Sequence, residues 1–147
     1  MKIIVLYSTM LFLSYSVMGY NINTSLLNIS LSDNGEITSI TVNGKDFVKP
    51  VHAFTTIAEC SQQGATTVNQ LSDGTIIFQR TLVHQSSQNS CVLIDKFIPV
   101  ATGVRWELSV KGNGGPWSSE IQTHIKYPAG NGTLFWTVWG YPQYDPS

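Results

Sequence analysis

The sequence is dominated by an alternation of apolar and polar residues with a period of two. Between residues 104 and 111 every second residue is apolar: Val104, Trp106, Leu108 and Val110. The same pattern returns further along with Ile121, Thr123, Ile125 and Tyr127. A strand with this alternation has one buried and one solvated face. Because no long stretch after residue 20 follows the 3.6-residue period of an amphipathic helix, the pattern predicts antiparallel β-structure.

Turn signals divide the chain into short strands. Asp33-Asn34-Gly35 follows the alternating run 27–31, and Asn43-Gly44 ends the next run, 36–42. Such Asn-Gly pairs are the strongest short hairpin signals. Further strands are expected at 75–83 and 91–98, with polar turn residues 86–89 between them. About nine strand candidates at this spacing predict an all-β, antiparallel β-sandwich.

The N-terminus has the pattern of a secretory signal. Met1 and Lys2 form a short basic region, and residues 3–17 are mostly apolar. We expect a signal peptide at 1–19 and a mature, secreted β-sandwich domain at 20–147. The alternative is an uncleaved anchor, although about fifteen apolar residues fall short of the twenty that span a membrane. No later segment resembles a membrane span.

Charge argues against nucleic acid as a partner. Only 12% of residues are charged, and the formal net charge is −1. Phosphate binding needs clustered positive charge, whereas the Lys and Arg residues of this chain are scattered.

Covalent modification is expected at five residues. Cys60 and Cys91 are the two cysteines, and in an oxidising compartment they predict one disulfide. The alternative, a reactive or metal-binding pair of thiols, has no neighbouring His or Cys to support it. Glycosylation triplets begin at Asn23, Asn28 and Asn131.

The sequence contains no recognisable catalytic constellation. Glu107 and Glu120 have the side chains that glycoside hydrolysis needs, and a hairpin through 112–116 would bring their strands together. Both glutamates lie at polar positions of alternating strands, so solvated charges are the alternative interpretation. His52 and His84 have no acidic partner at ligand spacing. We therefore predict no catalytic residue, no metal and no cofactor, and no turnover by this chain alone.

Aromatic residues near the C-terminus are the candidates for ligand contact. Trp117 follows a proline in a glycine-rich turn, and the final alternating run would place Phe135 and Trp139 on one face, with Tyr141 following. Exposed aromatic faces are suited to sugar rings or to another protein. The alternative is that a second sheet or further sequence covers both faces. Trp106, within a clean apolar face, is expected in the core.

Three segments carry a resemblance to a known family. The run from Leu31 to Lys45, LSDNGEITSITVNGK, resembles the first hairpins of the galactose-mutarotase-like β-supersandwich. The stretches 95–99 and 104–107 and the turn 115–118 are similar in character to strands and turns of the same module. The resemblance implies the N-terminal module of a glycoside hydrolase, with the catalytic acid and base supplied downstream. We expect no closing strand after Tyr141, which agrees with an incomplete supersandwich.

These expectations define two functional hypotheses. The first is a secreted carbohydrate-binding or scaffolding β-sandwich module of a glycoside hydrolase-like protein, whose partner is carbohydrate or a downstream catalytic domain. The second is an extracellular protein-interaction module of immunoglobulin-like or adhesin type, whose exposed aromatics contact protein rather than sugar.

Overall fold

The computed structural model describes residues 19–48, 52–113, 119–126, 134–136 and 142–144. The predicted signal peptide lies almost entirely outside these residues and stays a prediction. The described residues form thirteen strands and no helix. None of the described residues therefore belongs to an apolar helix that could cross a membrane.

The strands follow one another with short connections. Their bounds in chain order are β1 Tyr20–Asn23, β2 Leu27–Leu31, β3 Ile37–Val42, β4 Lys45–Val48, β5 His52–Ile57, β6 Cys60–Gln62, β7 Thr67–Gln70, β8 Ile76–His84, β9 Ser90–Val100, β10 Gly103–Asn113, β11 Ile121–Lys126, β12 Leu134–Trp136 and β13 Pro142–Tyr144.

Two antiparallel sheets carry most of these strands, which confirms the predicted all-β class. The first sheet has the order β1-β2-β3-β5-β11, with β4 also paired to β3. The second has the order β10-β9-β8-β6, with β7 also paired to β8. The strands β12 and β13 form a separate antiparallel pair. The expectation that no strand follows Tyr141 is therefore wrong, since β13 spans Pro142–Tyr144; a strand of three residues with a proline leaves no alternation for the sequence to show. The architecture agrees with a β-sandwich.

The predicted turns form as their residues require. Asn43 and Gly44 connect β3 to β4 with φ values of 52° and 71°. Two successive residues with positive φ match the twist of the flanking strands, and Asn and Gly tolerate that conformation best. Gly35, in the turn between β2 and β3, has φ 79° and donates a backbone hydrogen bond of 3.0 Å to the Ser32 carbonyl.

The main core lies where the two sheets face each other. Its buried apolar residues are Ile22, Ile29, Leu31, Ile37 and Ala53 from the first sheet and Ile76, Phe78 and Phe97 from the second. Phe78 and Phe97 are fully buried and meet edge to face, with ring centroids 6.0 Å apart. Trp106 stacks on Phe97 at 5.3 Å and packs against this cluster, in agreement with its expected core position.

A second, smaller core lies further along the same strands. It consists of Ile57 from β5, Leu82 from β8, and Cys91 and Leu93 from β9. The strands β8 and β9 contribute to both clusters, so the two cores lie along the same pair of strands.

The strands β10 and β11 belong to different sheets, which corrects one expectation. The sequence suggested a hairpin that joins them, but β10 pairs with β9 and β11 pairs with β5. Each is the outermost strand of its own sheet in the described part of the chain. Alternation predicts which residues share a face of a strand, whereas strand pairing depends on the path of the connecting segment.

Candidate functional site: a polar cavity between the sheets

A buried ion pair lies on the inner face of the second sheet. Arg80 of β8 and Asp95 of β9 face the sandwich interior. The Nη2 group of Arg80 donates a hydrogen bond to Asp95 Oδ2. Their side chains are only 12% and 1% exposed. Charges this deep in a protein are tolerated only when they are paired and hydrogen-bonded.

Trp106 completes the coordination of the aspartate. Its indole Nε1 donates to Asp95 Oδ1 at 2.9 Å. Asp95 therefore accepts a hydrogen bond on each carboxylate oxygen, one from a cation and one from an indole. The sequence placed Trp106 in the core but gave no sign of this role, because its partner lies on the neighbouring strand.

A cavity of about 170 Å³ opens beside Arg80. It lies between β5 on one side and β6 and β8 on the other. Its lining residues are Thr55, Thr56, Ile57, Cys60, Gln62, Arg80 and Leu82. The walls therefore combine hydroxyl, amide and guanidinium groups with two apolar side chains.

Two side-chain atoms of the cavity-lining residues have no hydrogen-bond partner among the described residues. They are Thr55 Oγ1 and Arg80 Nε, and both are buried. Thr55 is fully buried as a residue. An unpaired buried polar group costs about 1 to 3 kcal/mol, so a native protein retains one only where something compensates. Both atoms belong to residues that line the cavity, which makes it the strongest candidate for a binding site in the described structure.

The two cysteines are free in the structure, in contrast to the predicted disulfide. Cys60 lies opposite His84, and Cys91 lies opposite Leu82, so β8 separates the two cysteines within the sheet. Two strand spacings amount to roughly 9 to 10 Å, whereas a disulfide needs Cα atoms within about 7 Å. The sequence revealed two cysteines in strands but not the strand that lies between them.

Burial shapes the chemistry of both thiols. Burial raises the pKa of the Cys91 thiol, and the nearby Cys60 adds to the shift. Burial also raises the pKa of Cys60, with a smaller contribution from the Glu59 carboxylate. A folded chain that holds thiol protons more tightly gains stability below the unfolded thiol pKa of about 8.5. It loses that gain as the pH rises through the folded pKa.

We expect slow alkylation of both cysteines by iodoacetamide at pH 8, because the thiolate is the reactive form. Cys60, which is half-buried, reacts before the buried Cys91. Both rates rise with pH and equalise in denaturant. Peptide mass spectrometry at timed intervals measures the two rates. Recovery of an unalkylated, linked pair from denatured and unreduced protein would instead demonstrate the disulfide.

The two candidate carboxylates are far from forming a catalytic pair. Glu107 lies on the outer face of β10, where it contacts Arg105 at 2.9 Å and Lys96 at 3.5 Å. Glu120 lies just before β11 in the other sheet and accepts from the Gln122 amide at 3.1 Å. The structure therefore supports the interpretation that both are solvated surface charges.

The histidines have partners that the sequence did not reveal. His52 Nδ1 lies 2.9 Å from Glu36 Oε1, and His84 Nε2 lies 3.2 Å from Glu59 Oε2. These acidic partners are remote in sequence, so a search at ligand spacing misses them. No group of three or more His, Cys, Asp or Glu side chains that could hold a metal occurs among the described residues.

Most of the predicted ligand-contact residues lie outside the described part of the chain. Trp117, Trp139, Tyr141 and the glycosylation residue Asn131 are not described, and Phe135 is described only as a backbone position in β12. The other two glycosylation residues, Asn23 and Asn28, are exposed on β1 and β2. Their exposure leaves both accessible, and their glycosylation stays a prediction.

Part of the inner face of β10 and of β11 is exposed in the described part of the chain. On β10, Leu108 and Val110 are 39% and 37% exposed, although their direct partners on β9 are buried. On β11, Ile121 and Ile125 are 52% and 63% exposed, opposite two buried residues of β5. Directly paired residues share one face of a sheet. These four side chains therefore lie on the same faces of the sheets as the core residues, yet they are exposed. We call them the uncovered inner-face residues.

Comparison with protein-family models, with curated proteins and with solved structures yields no match to this chain.

Proposed function

We propose that this chain is a secreted β-sandwich module of a glycoside hydrolase-like protein, which binds carbohydrate or scaffolds a further domain and performs no turnover alone. The resemblance to the galactose-mutarotase-like supersandwich motivates the family assignment in this proposal. The two-sheet architecture is compatible with it.

The observation that carries the scaffolding role is the set of uncovered inner-face residues. Large apolar side chains that follow the core direction and still face solvent are costly for an isolated domain. They occur on the outermost strand of each sheet, where an added strand or domain would extend the sandwich. A further domain of the same protein is therefore the partner that fits them.

The same observation supports the alternative function of an extracellular protein-interaction module. Apolar strand faces at a sheet edge suit any protein partner that supplies a complementary face. The two functions differ in their partners, and only the carbohydrate-binding form of the first predicts binding to glycans.

The test replaces uncovered inner-face residues with lysine. We expect the full chain, secreted and folded, to bind the apolar dye ANS and to self-associate weakly in analytical ultracentrifugation. The double variant Leu108→Lys/Ile125→Lys should reduce both signals several-fold, because a charge cannot enter an apolar interface without cost. A wild-type chain that binds no dye and remains monomeric would contradict the scaffolding role.

The matched control carries the same charges on the opposite faces of the same strands. Ser109→Lys/Gln122→Lys should leave dye binding and association unchanged. A glycan array then tests the carbohydrate-binding form of the first function. Signal from well-folded protein supports it, whereas association without any glycan signal contradicts it and fits the scaffolding role or the protein-interaction module.

A further inference from the structure

We propose that the cavity beside Arg80 binds one neutral sugar or polyol unit, which places a hydroxyl group between Arg80 Nε and Thr55 Oγ1. The proposal assigns a specific ligand class and two recognition residues to a site that has no counterpart in the sequence motifs. It rests on the carbohydrate-binding form of the proposed function.

The unpaired atoms define what the ligand must offer. Arg80 Nε can only donate a hydrogen bond, while the Thr55 hydroxyl both donates and accepts. A ligand oxygen must therefore accept from Arg80, and it can either accept from or donate to Thr55. A hydroxyl group meets these requirements, and so does a carboxylate that accepts from both.

The charges around the cavity favour a hydroxyl group over a carboxylate as the ligand. Asp95 already neutralises the guanidinium of Arg80, and the pair is buried. A carboxylate would add a second negative charge beside the pair, with no other cationic side chain among the cavity-lining residues. A buried charge without a partner is strongly unfavourable. A neutral hydroxyl satisfies both atoms without that cost, and it is the ligand that the site favours.

The size and walls of the cavity fit one ring or one short polyol. An apolar cavity of roughly 150 Å³ holds a benzene molecule, so about 170 Å³ corresponds to a single six-membered ring. Ile57 and Leu82 offer apolar surface for the C–H groups of such a ring. Gln62 adds an amide, although its nitrogen already donates to Gly64 and Thr66.

The test follows the Arg80 Nε–H resonance by NMR in the ¹⁵N-labelled full chain. The probes are D-galactose, D-glucose and glycerol as neutral ligands and D-glucuronate as the anionic one. We expect a saturable shift of this resonance with at least one neutral probe, since its proton enters a new hydrogen bond. Thr55→Val should weaken binding about tenfold, the loss that one hydrogen bond accounts for.

Thr55→Val removes a buried unpaired hydroxyl and preserves the shape of the side chain, so the variant is expected to fold. Thr81→Val makes the same change at an exposed position of β8 and should leave the affinity unchanged. The titration of the wild-type chain measures ligand binding at Arg80 directly, so the test does not depend on whether a variant folds.

Three results would overturn the inference. They are the absence of a saturable shift with every neutral probe, a response to glucuronate alone, and equal affinity in Thr55→Val. Glycan binding that survives Thr55→Val would place carbohydrate recognition elsewhere and leave the proposed function intact. Conversely, a wild-type chain that shows neither glycan binding nor an Arg80 shift would contradict both the inference and the carbohydrate-binding form of the proposed function.

Discussion

Replacing Asp95 with Asn is expected to lower the free energy of unfolding by about 3 to 5 kcal/mol. The change leaves the guanidinium of Arg80, which is 12% exposed, without its counter-charge. An uncompensated buried charge costs far more than the lost attraction alone. The remaining amide also weakens the hydrogen bond from Trp106 Nε1. Urea unfolding, followed by tryptophan fluorescence, measures the loss.

Two variants control for the position and for the charge. Glu107→Gln breaks an ion pair on the exposed face of β10, where the partners are 38% and 44% exposed, and should cost less than about 1 kcal/mol. The double replacement Arg80→Met/Asp95→Leu removes both buried charges and should recover much of the stability lost in Asp95→Asn. Equal losses in the buried and exposed variants would contradict a buried ion pair.

Replacing Gly35 with Ala is expected to lower the free energy of unfolding by about 2 to 4 kcal/mol. Gly35 has φ 79°, a conformation that costs any residue with a Cβ. The added methyl carbon would lie 2.8 Å from the ring of Phe78. Phe78 is fully buried between both sheets, so it has little room to move aside. Thermal unfolding monitored by circular dichroism measures the change.

Gly44→Ala separates these two causes. Gly44 has φ 71°, but no atom lies within 4 Å of the position that its Cβ would occupy. This variant should therefore lose only the conformational part, about 1 kcal/mol. If both variants lost the same stability, contact with Phe78 would not contribute.

The longer strands were predictable because their signals are local. Alternation at 27–31 coincides with β2, and the polar run 86–89 lies in the turn between β8 and β9. Asn43 adopts positive φ as the hairpin signal indicates. Each of these features depends on backbone conformation and solvent exposure over a few residues, and both leave a mark on the sequence.

The candidate site was not predictable, since its members come from strands that are remote in sequence. Thr55 belongs to one sheet, while Arg80 and Asp95 belong to neighbouring strands of the other. Arg80 reads as an ordinary charged residue in an apolar strand. In the register between β8 and β9, Arg80 lies opposite Leu93, and Asp95 is the next residue of β9 on the same inner face. Only this register shows that the charge of Arg80 is buried and paired.

By itself, the sequence determined the all-β class, the turns at 33–35, 43–44 and 86–89, and which residues share a face in the clearly alternating strands, because side chains alternate with a period of two and turns need particular residues. The short strands β4 to β7 and β13 were not predicted. The tertiary structure alone decided which strands pair. It separated β10 from β11, placed β8 between the two cysteines, and buried the Asp95 ion pair beside a cavity. These outcomes depend on contacts between segments that are remote in sequence. Such contacts leave no periodic pattern in the local sequence, so the sequence alone does not reveal them.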